Sequence, residues 1–383
     1  MQDGSGTPLG GTDPVADGPA AASATAPRSA RWRLAAIGAL ALLAAFAAWQ
    51  SAPLSAPANP ALGAEPARIM GTTCRLLAVP PRAASGAAAS ATASRALRDA
   101  EAALRAVEAE MSTWIEDTPL SRLNHASVGE RVALPPSTVA VLRASEDAFR
   151  ATGGAFDATR RPVIELWRTA GQRRIAPTAA EIRAAQARSS WAALRLDDGG
   201  ATKRSGGVEL DVGGIAKGWG IDRAVDAMKA AGAAGGLVDV GGDLRVFGAS
   251  GTPGPWRVQV QNPFEAGTIL ALDLTEGAIC TSGDYFRFVE IDGRRFSHII
   301  DPRTGYPAAA VHSATVLAPD ATSADVWATA LSVLGPEGLR RLPAGHEAML
   351  IVGERAAPRA IATPGFRARV VEGPPYPLET AGK

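Results

Sequence analysis

Along residues 87–111 the apolar positions Leu97, Leu104, Val107 and Met111 recur near helical period, with Arg and Glu between them, which predicts an amphipathic helix. A second helix begins at Ser137 or Thr138, either of which is a capping residue, and carries Leu142 and Phe149 on its apolar face. Thr178 and Glu181, just after Pro177, have the spacing of a capping box and open a third. A fourth covers 215–231 with Ile221, Val225 and Met228 on its buried face, and a fifth covers 321–334 before Gly335-Pro336 stops it. Strand-length apolar runs occupy 68–79, 191–197, 206–212, 237–240, 244–247, 256–261 and 269–274. Asp292-Gly293 between 285–291 and 294–300 is a hairpin signal, and 312–317, 347–353 and 365–371 complete the strands. Residues 113–125 and Gly199-Gly200 read as turns, and Gly235-Gly236 as the end of the fourth helical unit. Hairpins mixed with packed helices predict an α+β fold rather than a doubly wound parallel sheet of the Rossmann type.

The first 66 residues read differently. Residues 1–30 are rich in Ala, Pro, Gly, Ser and Thr and predict a disordered tail. Arg28, Arg31 and Arg33 then precede an uncharged run from Leu34 to Trp49, so 31–50 reads as a signal peptide or signal anchor. Ala56-Pro57-Ala58 offers small residues for cleavage within a Pro/Ala-rich linker over 51–66, and both a cleaved signal and a retained inner-membrane anchor stay open. The expected location is periplasmic or otherwise extracytoplasmic. The folded domain is expected over 67–383.

With 46% hydrophobic and 20% charged residues, the whole chain has a globular composition. Its 39 basic and 38 acidic residues leave +1, which gives no electrostatic case for nucleic acid. Two cysteines exclude a disulfide-dense scaffold, an iron–sulfur protein and a Cys-rich zinc site. Cys74 and Cys280 each sit among apolar residues and read as separate buried thiols.

Four motifs carry chemistry. Asp211 to Gly218 is a strand–glycine turn–helix whose free amides suit an anion, with Lys217 beside them, although it matches neither a Walker A loop nor G-x-G-x-x-G. Gly241-Gly242-Asp243 is a second glycine turn. His298 and Asp301 end a hairpin strand, where polar groups face clefts. Asp325 and Thr329 stand at i and i+4 on one helix face and offer oxygen, the donor type Mg²⁺ prefers. Singly, these are also a packing turn, a turn aspartate, a hydrogen-bonded structural histidine and a helix cap.

Their ordered set resembles the ApbE family, the FAD:protein FMN transferases. The matching runs are Met70-Gly71-Thr72, Leu120 to Asn124, Phe156-Asp157-Ala158-Thr159 followed by Leu166-Trp167, and Asp211 to Gly218 with Asp222. Gly241-Gly242-Asp243, Thr281 to Tyr285, His298 to Gly305 and Ala324 to Leu331 follow in order. The resemblance covers about 68–353. It implies FAD in a cleft, with Met70, Trp114, Ala155, Phe156, Asp157, Asp211, Lys217 and Ile300 as cofactor-binding residues. It implies Mg²⁺ held by the Gly214 carbonyl, Asp325 and Thr329, and His298 as the catalytic base. The implied reaction passes FMN to a Thr or Ser hydroxyl of an exported flavoprotein with an FMN-binding domain, as in membrane redox complexes, and releases AMP. Hydrolysis of FAD to FMN and AMP, and non-catalytic flavin binding in assembly, are the alternatives. Trp114 stands where the family commonly has Tyr, and Arg160-Arg161 replaces a less basic pair.

Overall fold

Side-chain alternation along the strands decides how this chain is layered. The computed structural model describes residues 61–82, 84, 86–283 and 288–381. The tail over 1–30, the apolar segment over 31–50 and most of the linker lie outside the described residues. The nine-stranded main sheet is built from β1 (Leu62–Ala64), β2 (Cys74–Val79), β3 (Gly235–Val240), β4 (Asp243–Gly248), β5 (Gly277–Gly283), β6 (Ser313–Ala318), β7 (Glu347–Glu354), β8 (Ala357–Ala362) and β9 (Leu378–Thr380). They lie side by side in chain order, antiparallel except for the parallel β8–β9 pair. The helices are α1 (Gly86–Met111), α2 (Pro119–His125), α3 (Pro136–Ala151), α4 (Arg161–Arg173), α5 (Ala179–Ala187), α6 (Ala216–Ala230), α7 (Ala321–Leu334) and the short α8 (Pro364–Arg367). This is the α+β class expected, with an antiparallel sheet and no doubly wound order.

Each central strand feeds two cores. Leu76, Ala78, Val238, Val240, Cys280, Val316 and Leu350 enter the cluster formed with α1, α6 and α7. Their neighbours Val79, Leu237, Leu244, Val246, Ile279, Leu317 and Ile351 enter a second cluster, against the small sheet of 256–261, 268–274 and 370–372. A period of two places successive residues on opposite faces, so the sheet is the middle layer. A third, smaller cluster joins α4, α5, the hairpin 288–291/294–297 and Ile300 through Val163, Trp167, Ile182 and Ile291. Cys74 and Cys280 are separate, free and buried, and burial pushes the Cys74 thiol up to about 12 and Cys280 well above its ordinary value. Neither is a reactive thiol at neutral pH.

Several boundaries differ from the sequence reading. The main sheet already begins at Leu62, inside the stretch read as linker, because β1 pairs with Leu76–Ala78. Residues 206–212 form no strand; the segment hydrogen-bonds to a side chain instead, and the partner of 194–197 is 200–203. Residues 113–125 contain α2, capped by Thr118, whose Oγ1 accepts from Ser121 N at 3.0 Å. Helix α3 starts at Pro136 with no side-chain cap, and Thr138 instead donates to Glu110 at 3.2 Å. The expected strand over 365–371 is split between α8 and the strand 370–372, while 357–362 supplies the main-sheet strand. Gly235-Gly236 begins β3 rather than closing a helical unit. The Thr178–Glu181 capping box forms as its spacing predicts. No described helix is long and apolar enough to cross a membrane.

Helices α6 and α7 meet at their N-terminal ends. A Cβ on Gly218 would lie 2.2 Å from the Ala321 carbonyl oxygen, a backbone atom that cannot turn aside. Only glycine permits this approach. Gly218→Ala is therefore expected to destabilise the fold by about 2 kcal/mol through overpacking. A urea midpoint equal to that of the unsubstituted chain would show that the two helices are free to separate.

Candidate functional site

The strand register that buries apolar side chains under the helices also points Asp243 and Arg245 of β4 at that face, in line with Phe247. A carboxylate meets one of these side chains and an ammonium the other. Asp222 on α6 is buried, 2.7 Å from Arg245 Nη1. Its Oδ1 also accepts from Ala321 N at 2.9 Å, and its Oδ2 from Thr322 N at 2.9 Å and Thr322 Oγ1 at 2.5 Å. One side chain thus supplies acceptors for the first turn of α7, whose amides have no intrahelical partner. Asp320 Oδ1 accepts from Ser323 N at 2.7 Å and completes the cap.

The second meeting point is Lys217. Its ammonium is bonded to buried Asp243, and it stands 3.8 Å from Asp325 Oδ1. Asp325 is 2% exposed, and its Oδ2 accepts from Gly218 N at 3.1 Å. Asp325 is therefore not the cap of its own helix but a bridge to the start of α6. Burial pushes its carboxyl up, against the Lys217 charge and the Gly218 amide, which favour the ionised form. One turn further on, the Thr329 hydroxyl lies 3.4 Å from Ser282 Oγ. It would be 2.8 Å from a Cβ on Gly214, and the Phe156 ring 3.1 Å from the same point. Gly214, Lys217, Asp325, Thr329 and Phe156 are thus brought together across three chain segments.

The approach to this cluster is held by buried polar groups. Asn124 Nδ2 donates to the Leu210 carbonyl at 2.9 Å and its Oδ1 accepts from Leu210 N at 2.8 Å, which pins the residue before Asp211. Lys203 Nζ donates to the Asn124 carbonyl at 2.5 Å, and burial lowers the Lys203 ammonium from its ordinary value. Asp211 Oδ1 accepts from Gly213 N at 2.7 Å and so shapes the glycine turn. Arg161 reaches to 3.9 Å from Asp211 Oδ2.

The other residues named from the sequence occupy different surroundings. Ala155 and Phe156 are buried. The Asp157 carboxylate is turned inward, accepting from Thr159 N and Oγ1 at 2.9 and 2.8 Å and pairing with Arg160 at 2.8 Å. Met70 has a left-handed backbone (φ 51°), its N donates to Glu108 Oε1 at 2.8 Å, and its Cε would be 2.7 Å from a Cβ on Gly220. Trp114 is 75% exposed, with the Arg168 guanidinium 5.6 Å from the ring centroid. His298 is exposed at the end of the hairpin, between Ser297 and Ile299. Ile300 is buried in the third apolar cluster. Asp284 and Tyr285 lie outside the described residues.

Three participants stood in the sequence without a role in the site assigned to them. Asp243 reads as a turn residue, Asp222 only as a family position, and Ser282 belongs to a strand hidden by its flanking Gly, Thr and Ser. The available signal was charge on an inward register: Asp243 and Arg245 alternate in phase with Phe247, which faces the helices.

Among the described residues no group of three or more His, Cys, Asp and Glu side chains is arranged to hold a metal. The Gly214–Asp325–Thr329 group supplies one carboxylate, one hydroxyl and backbone oxygen. This all-oxygen set fits Mg²⁺, which takes few protein ligands and keeps waters.

A sequence model of the ApbE family matches residues 70–350. A FAD:protein FMN transferase of Vibrio cholerae is 34% identical over 239 residues, 61% of this chain and 72% of the relative. The solved flavin transferase ApbE from Vibrio cholerae has a TM-score of 0.68 at 28% identity, covering 81% of this chain and 100% of its own. The apo flavinyl transferase ApbE of Pseudomonas stutzeri has a TM-score of 0.70 at 28% identity, covering 82% and 98%.

Asp222→Ala strands Arg245 and the Ala321 and Thr322 amides, so a loss of about 3 kcal/mol or more is expected; Asp222→Asn, which keeps an acceptor for the helix amides, should lose less, as read from urea midpoints. Asp239 on β3 accepts from Gly242 N at 2.9 Å, and burial pushes its carboxyl up to about 6. A raised folded value means that the protonated carboxyl stabilises the fold below the unfolded value, and that this contribution is lost as pH rises through about 6. Asp239→Asn should accordingly match the parent near pH 4 and exceed its melting temperature near pH 8; equal melting temperatures at both would refute the assignment.

Proposed function

The chain belongs to the ApbE family, and we propose that it transfers FMN from FAD to a Thr or Ser hydroxyl of an acceptor protein in a Mg²⁺-dependent reaction that releases AMP. The observation that carries this reading is the meeting of the Gly214 turn, Lys217 and the Asp325–Thr329 face, beside the Phe156 ring.

The chemistry follows from those groups. FAD carries a pyrophosphate whose negative charge must be offset before an oxygen nucleophile can approach. Lys217 places a cation beside the glycine turn, and turn and helix-start amides suit phosphate oxygens. The Gly214 carbonyl, Asp325 and Thr329 would hold Mg²⁺, which supplies charge neutralisation on the phosphates when bound. The acceptor oxygen forms a bond to the phosphorus of the FMN half as the bond from that phosphorus to the AMP oxygen breaks. The hydroxyl proton passes to His298, whose neutral imidazole suits a base near pH 7, and AMP leaves with the bridging oxygen. Met70 and Trp114 would supply apolar and stacking surface for the flavin ring.

We assign the chain an extracytoplasmic location, either released or held at the inner membrane by residues 31–50. The acceptor is expected to be an exported flavoprotein with an FMN-binding domain, such as a subunit of a membrane redox complex. Water in place of the acceptor hydroxyl would give FMN and AMP from the same groups.

Incubation with FAD, Mg²⁺ and an FMN-binding acceptor domain should release AMP and raise the acceptor mass by one FMN. Asp325→Ala/Thr329→Ala should lower the rate by about 100-fold, corresponding to about 3 kcal/mol of lost charge stabilisation. A double variant as fast as the parent would remove the metal assignment, and free FMN with an unmodified acceptor would replace transfer by hydrolysis.

A further inference from the structure

Among the described residues, exposed apolar side chains gather around α4. Among the described residues eight large hydrophobic side chains are exposed, and five of them belong to α4 and its surroundings: Trp114, Ile115, Ile175, Phe288 and Tyr306. Trp114 is tied to α4 by Arg168. Ile175 follows α4 and donates its amide to Ala170 at 3.2 Å. Tyr306 packs edge-on to Trp167 of α4, with centroids 5.9 Å apart. Phe288 lies on the hairpin that presses Val289 onto Gly171 of α4, where a Cβ would be 2.6 Å from Val289 Cβ.

The same region carries exposed arginines. Arg173 and Arg174 close α4 and are exposed; Arg173 acts on Glu181 through its charge, and among the described residues neither arginine forms a close ion pair. Arg294 and Arg295 are exposed on the hairpin, where their guanidinium groups stand over Phe296 and Phe288 at 5.6 and 4.4 Å. Of the nearby acids, Glu165 pairs with Arg168 at 2.5 Å and Glu181 closes the capping box, while Glu290 lies opposite Arg295 on the hairpin and Glu116 and Asp292 are exposed beside the aromatic side chains. Aromatic side chains and arginine together are the composition of a protein-binding surface.

Helix α4 also connects this surface to the site. Its first residue, Arg161, stands near Asp211, and its 13 residues extend about 20 Å outward to Arg173. The segment after His298 is held on the same helix, because Trp167 Nε1 donates to the Gly305 carbonyl at 2.8 Å.

We propose that the α4–hairpin face is the docking surface for the acceptor protein, a folded domain that sets apolar contacts against its aromatic side chains and carboxylates opposite Arg173 and Arg174. This rests on the transferase reading above. A partner seated there delivers its hydroxyl along α4 toward His298, and Arg173 and Arg174 select it by charge.

The test compares two acceptors with the full chain: a purified FMN-binding domain carrying its acceptor Thr, and a synthetic peptide of the residues around that Thr. Two surface variants are used, Arg173→Glu/Arg174→Glu and, separately, Ile175→Ser. The expected result is a rise of about tenfold in KM for the folded domain with kcat unchanged, and a shallower salt dependence in the charge-reversal variant. Transfer to the peptide and the KM for FAD should not move. An unchanged KM for the domain would overturn the docking surface while leaving transfer intact, and equal losses with domain and peptide would overturn it too. If the parent chain labels neither acceptor, the transferase reading itself fails and the docking assignment falls with it.

Discussion

The site depends on how closely two helix starts can approach. Helices α6 and α7 rise from different parts of the chain, yet backbone meets side-chain-free backbone at Gly218 and Ala321. That contact brings the Lys217 ammonium, the Asp325 carboxylate and the Thr329 hydroxyl within reach of the Gly214 turn. A single added methyl at 218 would move one helix against the other and displace the oxygen donors as a group. The helix–sheet contact that gives the chain its core therefore also sets the dimensions of its chemistry.

The charges at this junction are paired in a graded way. Asp222 is satisfied from all sides by Arg245, two amides and a hydroxyl, so it behaves as part of the scaffold. Asp325 is equally buried but receives only one amide, with the nearest ammonium at 3.8 Å. A buried carboxylate held that loosely retains coordination capacity, whereas Asp222 has none to spare. Lys217 bonds to Asp243, yet remains close to Asp325, and so can balance both carboxylates or turn toward an incoming phosphate. The contrast between two aspartates of similar burial separates a structural clamp from a candidate ligand.

Much of this was legible in the amino-acid order, and the gaps have physical causes. Helices with a long apolar repeat, such as α1 and α6, declare themselves because packing and periodicity agree. The hairpin around Asp292-Gly293 follows from local turn chemistry. The strand 277–283 does not, because its Gly, Thr and Ser residues look like a turn until neighbours on both sides supply the ladder. Residues 206–212 mislead in the opposite sense: they are apolar enough for a strand, but Leu210 gives its backbone groups to Asn124, a partner 86 positions away. The spacing of Asp325 and Thr329 showed a shared helix face; their meeting with Gly214 is a tertiary fact that no local pattern contains.

The chain order of the main sheet has a consequence for how the protein comes into being. Cys74 of β2 pairs with Val240 of β3, while every helix from α1 to α6 is threaded between them. During synthesis the first two strands must wait, edge exposed, until the excursion has been completed and its far end returns. Closing so long a loop is entropically only slightly worse than closing a shorter one, but it is slow. The early hairpin is thus the segment most in need of protection from stray strand pairing, and a helper that shields β2 until β3 emerges would act where the nascent chain is most vulnerable.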